Sequence, residues 1–202
     1  MPTLVGLDIN SRCTPEDAQK LKDSAYQFLG RYYSRTTHIE GKKLTRQEAL
    51  DVCGAGLQLV AVYEDGPTSY AYFSAARGTA DAQGAMQQAA DVGQPEQTAI
   101  YFTVDYDAEA EEITGEITNY FKAVNAAIGD KFIVGVYGSG ATCQAMLSAG
   151  LAKLAWLSCS QSWSGTKTFA NWSIKQDNPK TILGMDADPD HALPDFGAFV
   201  VG

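Results

Sequence analysis

Short apolar runs alternate with helix-like stretches along most of this chain. Leu4 to Asp8, Phe28 to Tyr33, Leu57 to Tyr63, Thr98 to Val104, Phe132 to Tyr137 and Lys153 to Leu157 read as strands. Trp172 to Gln176 and Ile182 to Asp186 complete a set of eight. Runs such as Leu59-Val60-Ala61-Val62 and Phe132-Ile133-Val134 are apolar on both faces, as strands buried on both sides should be.

Helices are predicted between the strands. Thr14-Pro15-Glu16-Asp17 offers an N-cap, a proline at the first helical position and acids in the first turn. Thr45 and Glu48 form a capping-box pattern opening a helix that ends at Gly54. Thr79 to Val92 reads as a helix closed by Gly93, and Ala141 to Ala149 as one started by Ser139 and stopped by Gly150. Glu109 to Ile128 is the longest, with Ile113, Ile117, Tyr120, Phe121 and Val124 on one face. Strand–helix alternation predicts an α/β fold with a parallel sheet, and eight strands favour closure. The expectation is a single (β/α)8 TIM-type barrel over residues 1–202, with helices missing or shortened late in the chain.

Chemistry in such barrels sits at the C-terminal strand ends. Asp8 ends the first strand, and Glu64 and Asp65 follow the third. Asp105-Tyr106-Asp107 follow the fourth, Tyr137 ends the fifth, Gln176 the seventh, and Asp186 and Asp188 the eighth. Asp190 reads as a surface residue. Like charges gathered at one rim raise a member's pKa, which suits a group that must hold and release a proton. Paired carboxyls are the working parts of most glycosidases. Asp105 and Asp107, two apart on an extended segment, should project to one side, roughly 6.6 Å apart along the strand. Asp107 could equally be the N-cap of the following helix. Tyr33, Tyr137 and Trp156 stand at strand ends where aromatic faces could pack on sugar rings.

Composition narrows the partners. The 202 residues carry a formal net charge of −9 and no Lys/Arg run, which argues against nucleic acid. No apolar stretch approaches the roughly 20 residues of a membrane span, and Met1 to Asp8 has no basic leader region. A chain of this kind is expected to be cytoplasmic as written, exported by a leaderless or specialised route, or already mature. Nothing points beyond a monomer. The four cysteines form no CxxC pair and there are two histidines, so no zinc site is expected. The cysteines read as independent thiols, with a Cys143–Cys159 bridge the alternative.

The ordered set Gly6-Leu7-Asp8-Ile9-Asn10, Tyr101 to Asp107, Val136-Tyr137-Gly138, Ala155-Trp156-Leu157, Trp172 to Gln176 and Gly184 to Asp188 covers essentially the whole chain. It resembles the glycoside-hydrolase-like barrels related to the lysozyme-type muramidases of glycoside hydrolase family 25. The resemblance implies a glycan substrate, bacterial peptidoglycan above all, and no cofactor. In the muramidases the fourth strand ends Asp-x-Glu, with that Glu as general acid. Asp107 stands at the matching position, one methylene shorter.

The resulting expectation has Asp107 or Glu64 as general acid and Asp105 stabilising the oxocarbenium-like state. Asp8 and Asp186 would tune these groups and bind hydroxyls, while Tyr137, Gln176, Tyr33 and Trp156 would hold substrate. Two other readings stand beside it: a glycan-binding barrel with a decayed site, and a hydrolase using Mg²⁺ or another hard cation on these oxygens.

Overall fold

A computed structural model describes residues 3–202. Residues 1 and 2, the start of the stretch read as lacking a leader, lie outside the described residues. Seven strands lie side by side in parallel: β1 (Leu4–Asp8), β2 (Phe28–Tyr33), β3 (Gln58–Tyr63), β4 (Ala99–Thr103), β5 (Ile133–Gly138), β6 (Leu154–Leu157) and β7 (Ile174–Gln176). A hairpin follows, β8 (Lys180–Ile182) with β9 (Met185–Ala192). β9 pairs with β7 on one side and β1 on the other, closing an eight-strand barrel. Outside it lie α1 (Pro15–Asp23), α2 (Arg46–Gly54), α3 (Ala75–Val92), a broken helix α4 over 110–128, and α5 (Gly140–Ser148).

The predicted barrel is present, but its last strand differs. Both pairings of β9 are antiparallel. A parallel return needs a crossover of about a dozen residues or more. The segment 177–184 between β7 and β9 is too short for one, so the chain turns back as a hairpin. The β9 acids therefore enter at the mouth and descend with the strand. Asp190, read as surface, is fully buried in the barrel.

Local signals held at most helix ends. Thr14 and Asp17 form a reciprocal capping box, and Gly93 closes α3 in the left-handed region at φ 86°. α3 begins earlier than predicted, at a Ser74 cap. α4 is not one helix. It opens as Ala110–Glu112, widens into a π-turn over Ile113–Ile117 around a non-helical Gly115, and resumes as Thr118–Ile128. The second capping box forms only by half. Thr45 caps the Glu48 N–H, but the Glu48 carboxylate turns inward to the buried Arg31 of β2. Arg31 Nε donates to Glu48 at 2.7 Å, and its other nitrogens reach the carbonyls of Gly41 and Ile9. The Cys13 N–H also donates to Glu48, so one buried ion pair fastens the loops after β1 and β2. All four cysteines are free.

Two apolar layers follow from strand alternation. Leu7, Leu29, Tyr33, Leu59 and Phe102 pack outward against the helices. Phe28, Val60, Val62, Tyr101, Trp156 and Ile174 fill the barrel, with Phe196 from the C-terminal segment against Phe28. Gly30 lies among the inward residues. A Cβ there would stand 2.7 Å from both Asp8 Cβ and Trp156 Cη2.

Gly30→Ala should therefore destabilise the fold by about 1–3 kcal/mol through overpacking. Urea unfolding should show a lower midpoint at unchanged slope. An unchanged midpoint would mean that Asp8 and Trp156 are not held against this glycine.

Candidate active site

The barrel mouth holds a cavity of about 140 Å³ lined by Asp8, Tyr32, Val62, Glu64, Thr103, Asp105, Tyr137, Trp156, Gln176 and Asp188. Four carboxylates carried by four different strands thus meet in one space. Asp8 comes from β1, Glu64 and Asp105 from just beyond β3 and β4, and Asp188 from β9. In register, Asp8 lies opposite Asp188 on the antiparallel pair, which brings these two to the same level.

Asp8 is the most constrained. Its Oδ1 accepts the Tyr32 hydroxyl at 2.6 Å and its Oδ2 accepts Gln176 Nε2 at 2.9 Å. Gln176 has its amide fixed from the other side. Its Oε1 accepts the Tyr137 hydroxyl at 3.1 Å and the Cys159 N–H at 3.4 Å, leaving Nε2 to face Asp8 and, at 3.4 Å, Asp188. Trp156 forms part of the floor. Its ring meets Tyr101 and Tyr137 edge-on, and its indole N–H donates to Asp190 at 2.9 Å.

Burial sets the charges. The Asp8 carboxyl is pushed up to about 7, first by burial and then by the charge of Asp188, against the pull of the Tyr32 and Gln176 hydrogen bonds. Burial also raises Asp105, helped by the charge of Glu64, and it raises Asp188. Glu64 differs in having its own cation. Lys42 Nζ lies 2.7 Å from its carboxylate and 4.7 Å from the centre of the Tyr32 ring. Among the described residues, no group of three or more His, Cys, Asp or Glu is arranged to hold a metal ion.

Of the residues singled out in the sequence, Asp8, Glu64, Asp105, Tyr137, Trp156 and Gln176 are brought together here. Three are not. Asp107 is exposed, and its Oδ1 accepts the Ser164 N–H at 2.7 Å. The backbone bends at Tyr106, so the alternation that would have paired Asp107 with Asp105 stops there. Tyr33 faces the helices and donates to Gln94 at 2.8 Å, because its neighbour Tyr32 has the inward parity of Gly30. Asp186 is exposed and lines an adjoining hollow with Asn10, Pro179 and Asp188.

Tyr32, which shares the strand end with Tyr33, is the β2 tyrosine at the site, and Asp190, read as surface, lies beneath it. β2 is covered on both faces, so nothing in its composition distinguished Tyr32 from Tyr33. Asp190 needed the strand direction of β9. A second hollow adjoins the other side of the cavity through Glu64, lined by Ser34, Thr36, Thr37, His38, Ile39 and Lys42 among others.

Residues 19–192 match the family described as "Rv2525c-like, glycoside hydrolase-like domain". YbfG of Bacillus subtilis is 33% identical over 92% of this chain, which spans 28% of that protein. The Tat-secreted Mycobacterium tuberculosis protein Rv2525c, solved in complex with L-tartrate, superposes with a TM-score of 0.84 at 25% identity, covering 97% of this chain and 98% of that one. In sequence that protein, named "Putative peptidoglycan hydrolase Rv2525c", is 26% identical over 78% of this chain and 67% of its own. A muramidase from Trichobolus zukalii shares the fold, with a TM-score of 0.58 at 15% identity over 92% of each chain.

The raised Asp8 carboxyl carries a stability consequence. An unfolded Asp loses its proton near pH 3.9, whereas folded Asp8 keeps its proton to about 7. Between those values the folded state binds more protons, so stability falls as pH rises, and the full cost is present above about 7. Asp8→Asn cannot ionise. From pH 4 to 7.5 the wild type should lose more unfolding free energy than Asp8→Asn, by up to about 4 kcal/mol, in paired urea titrations. Parallel curves would show that Asp8 ionises normally.

Proposed function

Since this chain belongs to the Rv2525c-like, glycoside hydrolase-like domain family, we propose that it hydrolyses glycosidic bonds in bacterial peptidoglycan. The observation that carries this reading is the convergence of Asp8, Asp105, Asp188 and Glu64 on one small cavity floored by Trp156 and Tyr137. A carboxyl poised near neutrality beside a second carboxylate is what general-acid cleavage of a glycoside requires. The name of the Rv2525c relative supports the choice of polymer.

Asp8 takes the role of general acid. It keeps its proton to about 7, while the hydrogen bonds from Tyr32 and Gln176 hold its value below what burial alone would give. Asp105, on the lining of the same cavity, supplies the second carboxylate, as a base, a nucleophile or a stabiliser of the oxocarbenium-like state. Neither of the acids first considered fits better. Asp107 is outside the cavity, and Glu64 is committed to Lys42. Asp188 and the Glu64–Lys42 pair are placed to bind sugar hydroxyls. The half-buried phenol of Tyr137 is apolar surface for a sugar ring, and the buried Trp156 indole supports it edge-on.

One observation favours a second reading, a barrel that binds glycan without cleaving it. The position where the muramidases carry their acid is Asp107 here, and it is tied to Ser164.

Incubation with purified peptidoglycan should release soluble saccharide fragments, identified by mass spectrometry. Asp8→Asn and Asp105→Asn should each lower the rate by about 100-fold or more. Asp107→Asn should stay within about twofold, since it lies outside the cavity. The rate should decline as pH rises past about 7, where Asp8 gives up its proton. No fragments, with wild type and all variants still co-sedimenting with the polymer, would replace the hydrolase by the binding barrel.

A further inference from the structure

The mouth of the barrel accounts for four carboxylates, but a fifth lies below them. Asp190 is fully buried, opposite Gly6 in the β1–β9 register and two residues deeper than the Asp8–Asp188 pair. Its Oδ1 accepts the Trp156 indole N–H at 2.9 Å. Its Oδ2 has no hydrogen-bond partner among the described residues, and its diagonal neighbour on the same face of the β1–β9 pair is Asp8.

The surroundings offer no countercharge. From β1 comes Asp8, and from β9 itself Asp188, both acids. From β4 comes Tyr101, whose hydroxyl already donates to the Phe196 carbonyl. From β6 comes Trp156, and beyond it the half-buried Cys159 thiol. On β7 the register partner is Gln176, whose amide donates to Asp8 and Asp188. The cavity lining contains no Lys or Arg, and Lys42 at its edge is paired with Glu64.

An ionised carboxylate buried without a cation is among the most costly groups in a protein. Two carboxylate oxygens facing one another are both acceptors and repel. One proton removes both problems. On Oδ2 of Asp190 it makes that oxygen a donor, and Asp8 is the acceptor it faces. The Trp156 hydrogen bond then fixes which oxygen of Asp190 carries the proton.

We propose that Asp190 is a permanently neutral carboxylic acid that donates a hydrogen bond to Asp8. It is a positioning residue, the third donor on Asp8 after Tyr32 and Gln176. Its part is to keep the Asp8 proton exchangeable near neutrality instead of locked on by burial. Burial and the nearby acids also raise Asp190 well above the ordinary carboxylate range, consistent with this assignment. The importance of the role rests on the reading of Asp8 as the working acid, but its test does not require activity.

The test is a pH titration followed by carbon NMR on protein labelled at the aspartate carboxyl carbons. In the wild type, one carboxyl carbon should keep the shift of a protonated acid past pH 8, and it should be missing from Asp190→Asn. That variant presents an amide donor in place of the acid. The Asp8 midpoint should move by less than about half a pH unit, because no charge has been removed. Asp190→Leu removes the donor, and the midpoint should rise by about one unit or more. Absence of a persistently protonated carbon in the wild type would overturn the proposal, whether or not the variants fold. So would a fall of the Asp8 midpoint by a unit or more in Asp190→Asn, which would mean that Asp190 had been charged. If titration behaves as expected but peptidoglycan is not cleaved, the hydrolase reading fails and the role of Asp190 stands.

Discussion

The antiparallel pairing of β9 with β1 is the constraint on which the rest of this molecule depends. It closes the barrel and so removes both sheet edges. It also sets Asp188 across from Asp8 and sinks Asp190 beneath them. Were the last strand parallel, its acids would sit in the reverse order along the barrel axis. Asp190 would then be nearer the mouth than Asp188. The electrostatics of the site is therefore a product of chain direction as much as of composition.

Closure forces a concentration of negative charge that the fold meets in two ways. Around Asp8 it uses neutral donors, Tyr32 and Gln176, the latter locked by Tyr137 and the Cys159 N–H. Around Glu64 it uses a cation, Lys42. Cations elsewhere are kept out of the interior. Arg31, fully buried on β2, points away from the barrel axis and is spent on Glu48 and loop carbonyls. One strand thus presents a tyrosine to the site and an arginine to the scaffold on alternate residues. Loss of either partner of the Arg31–Glu48 pair would leave an uncompensated buried charge, at about 3–5 kcal/mol. The loops framing the mouth rest on that pair.

The barrel and most of its site could be read from the sequence because their signals are local. Doubly apolar runs mark the strands, Thr14 and Gly93 mark helix ends, and the acids after those runs mark the rim. What escaped depended on geometry beyond a few residues. The bend at Tyr106 separated Asp107 from Asp105 although their spacing promised one side. Tyr32 and Tyr33 are chemically alike, and only the register with Asp8 through Gly30 tells which faces inward. Glu48 fits a capping box in sequence, yet a buried guanidinium outcompetes the exposed helix end for it. The direction of β9, and with it the burial of Asp190, follows from a connection too short for a crossover. That shortness was visible, but its consequence appears only when the barrel has to close.

The central cavity shares lining residues with two further hollows. It shares Asp8, Tyr32 and Asp188 with the one towards Pro179 and Asp186, and Glu64 with the one towards His38 and Ile39. Exposed residues border both outer ends. A blind pocket measures a ligand from its terminus, since the wall decides how many units fit. A groove joining the three hollows would have no such stop. If the proposed hydrolase reading holds and the three hollows form one groove, a long strand would lie across it with chain continuing on both sides. Selection in such a trough falls on the units seated in it, not on where the polymer ends.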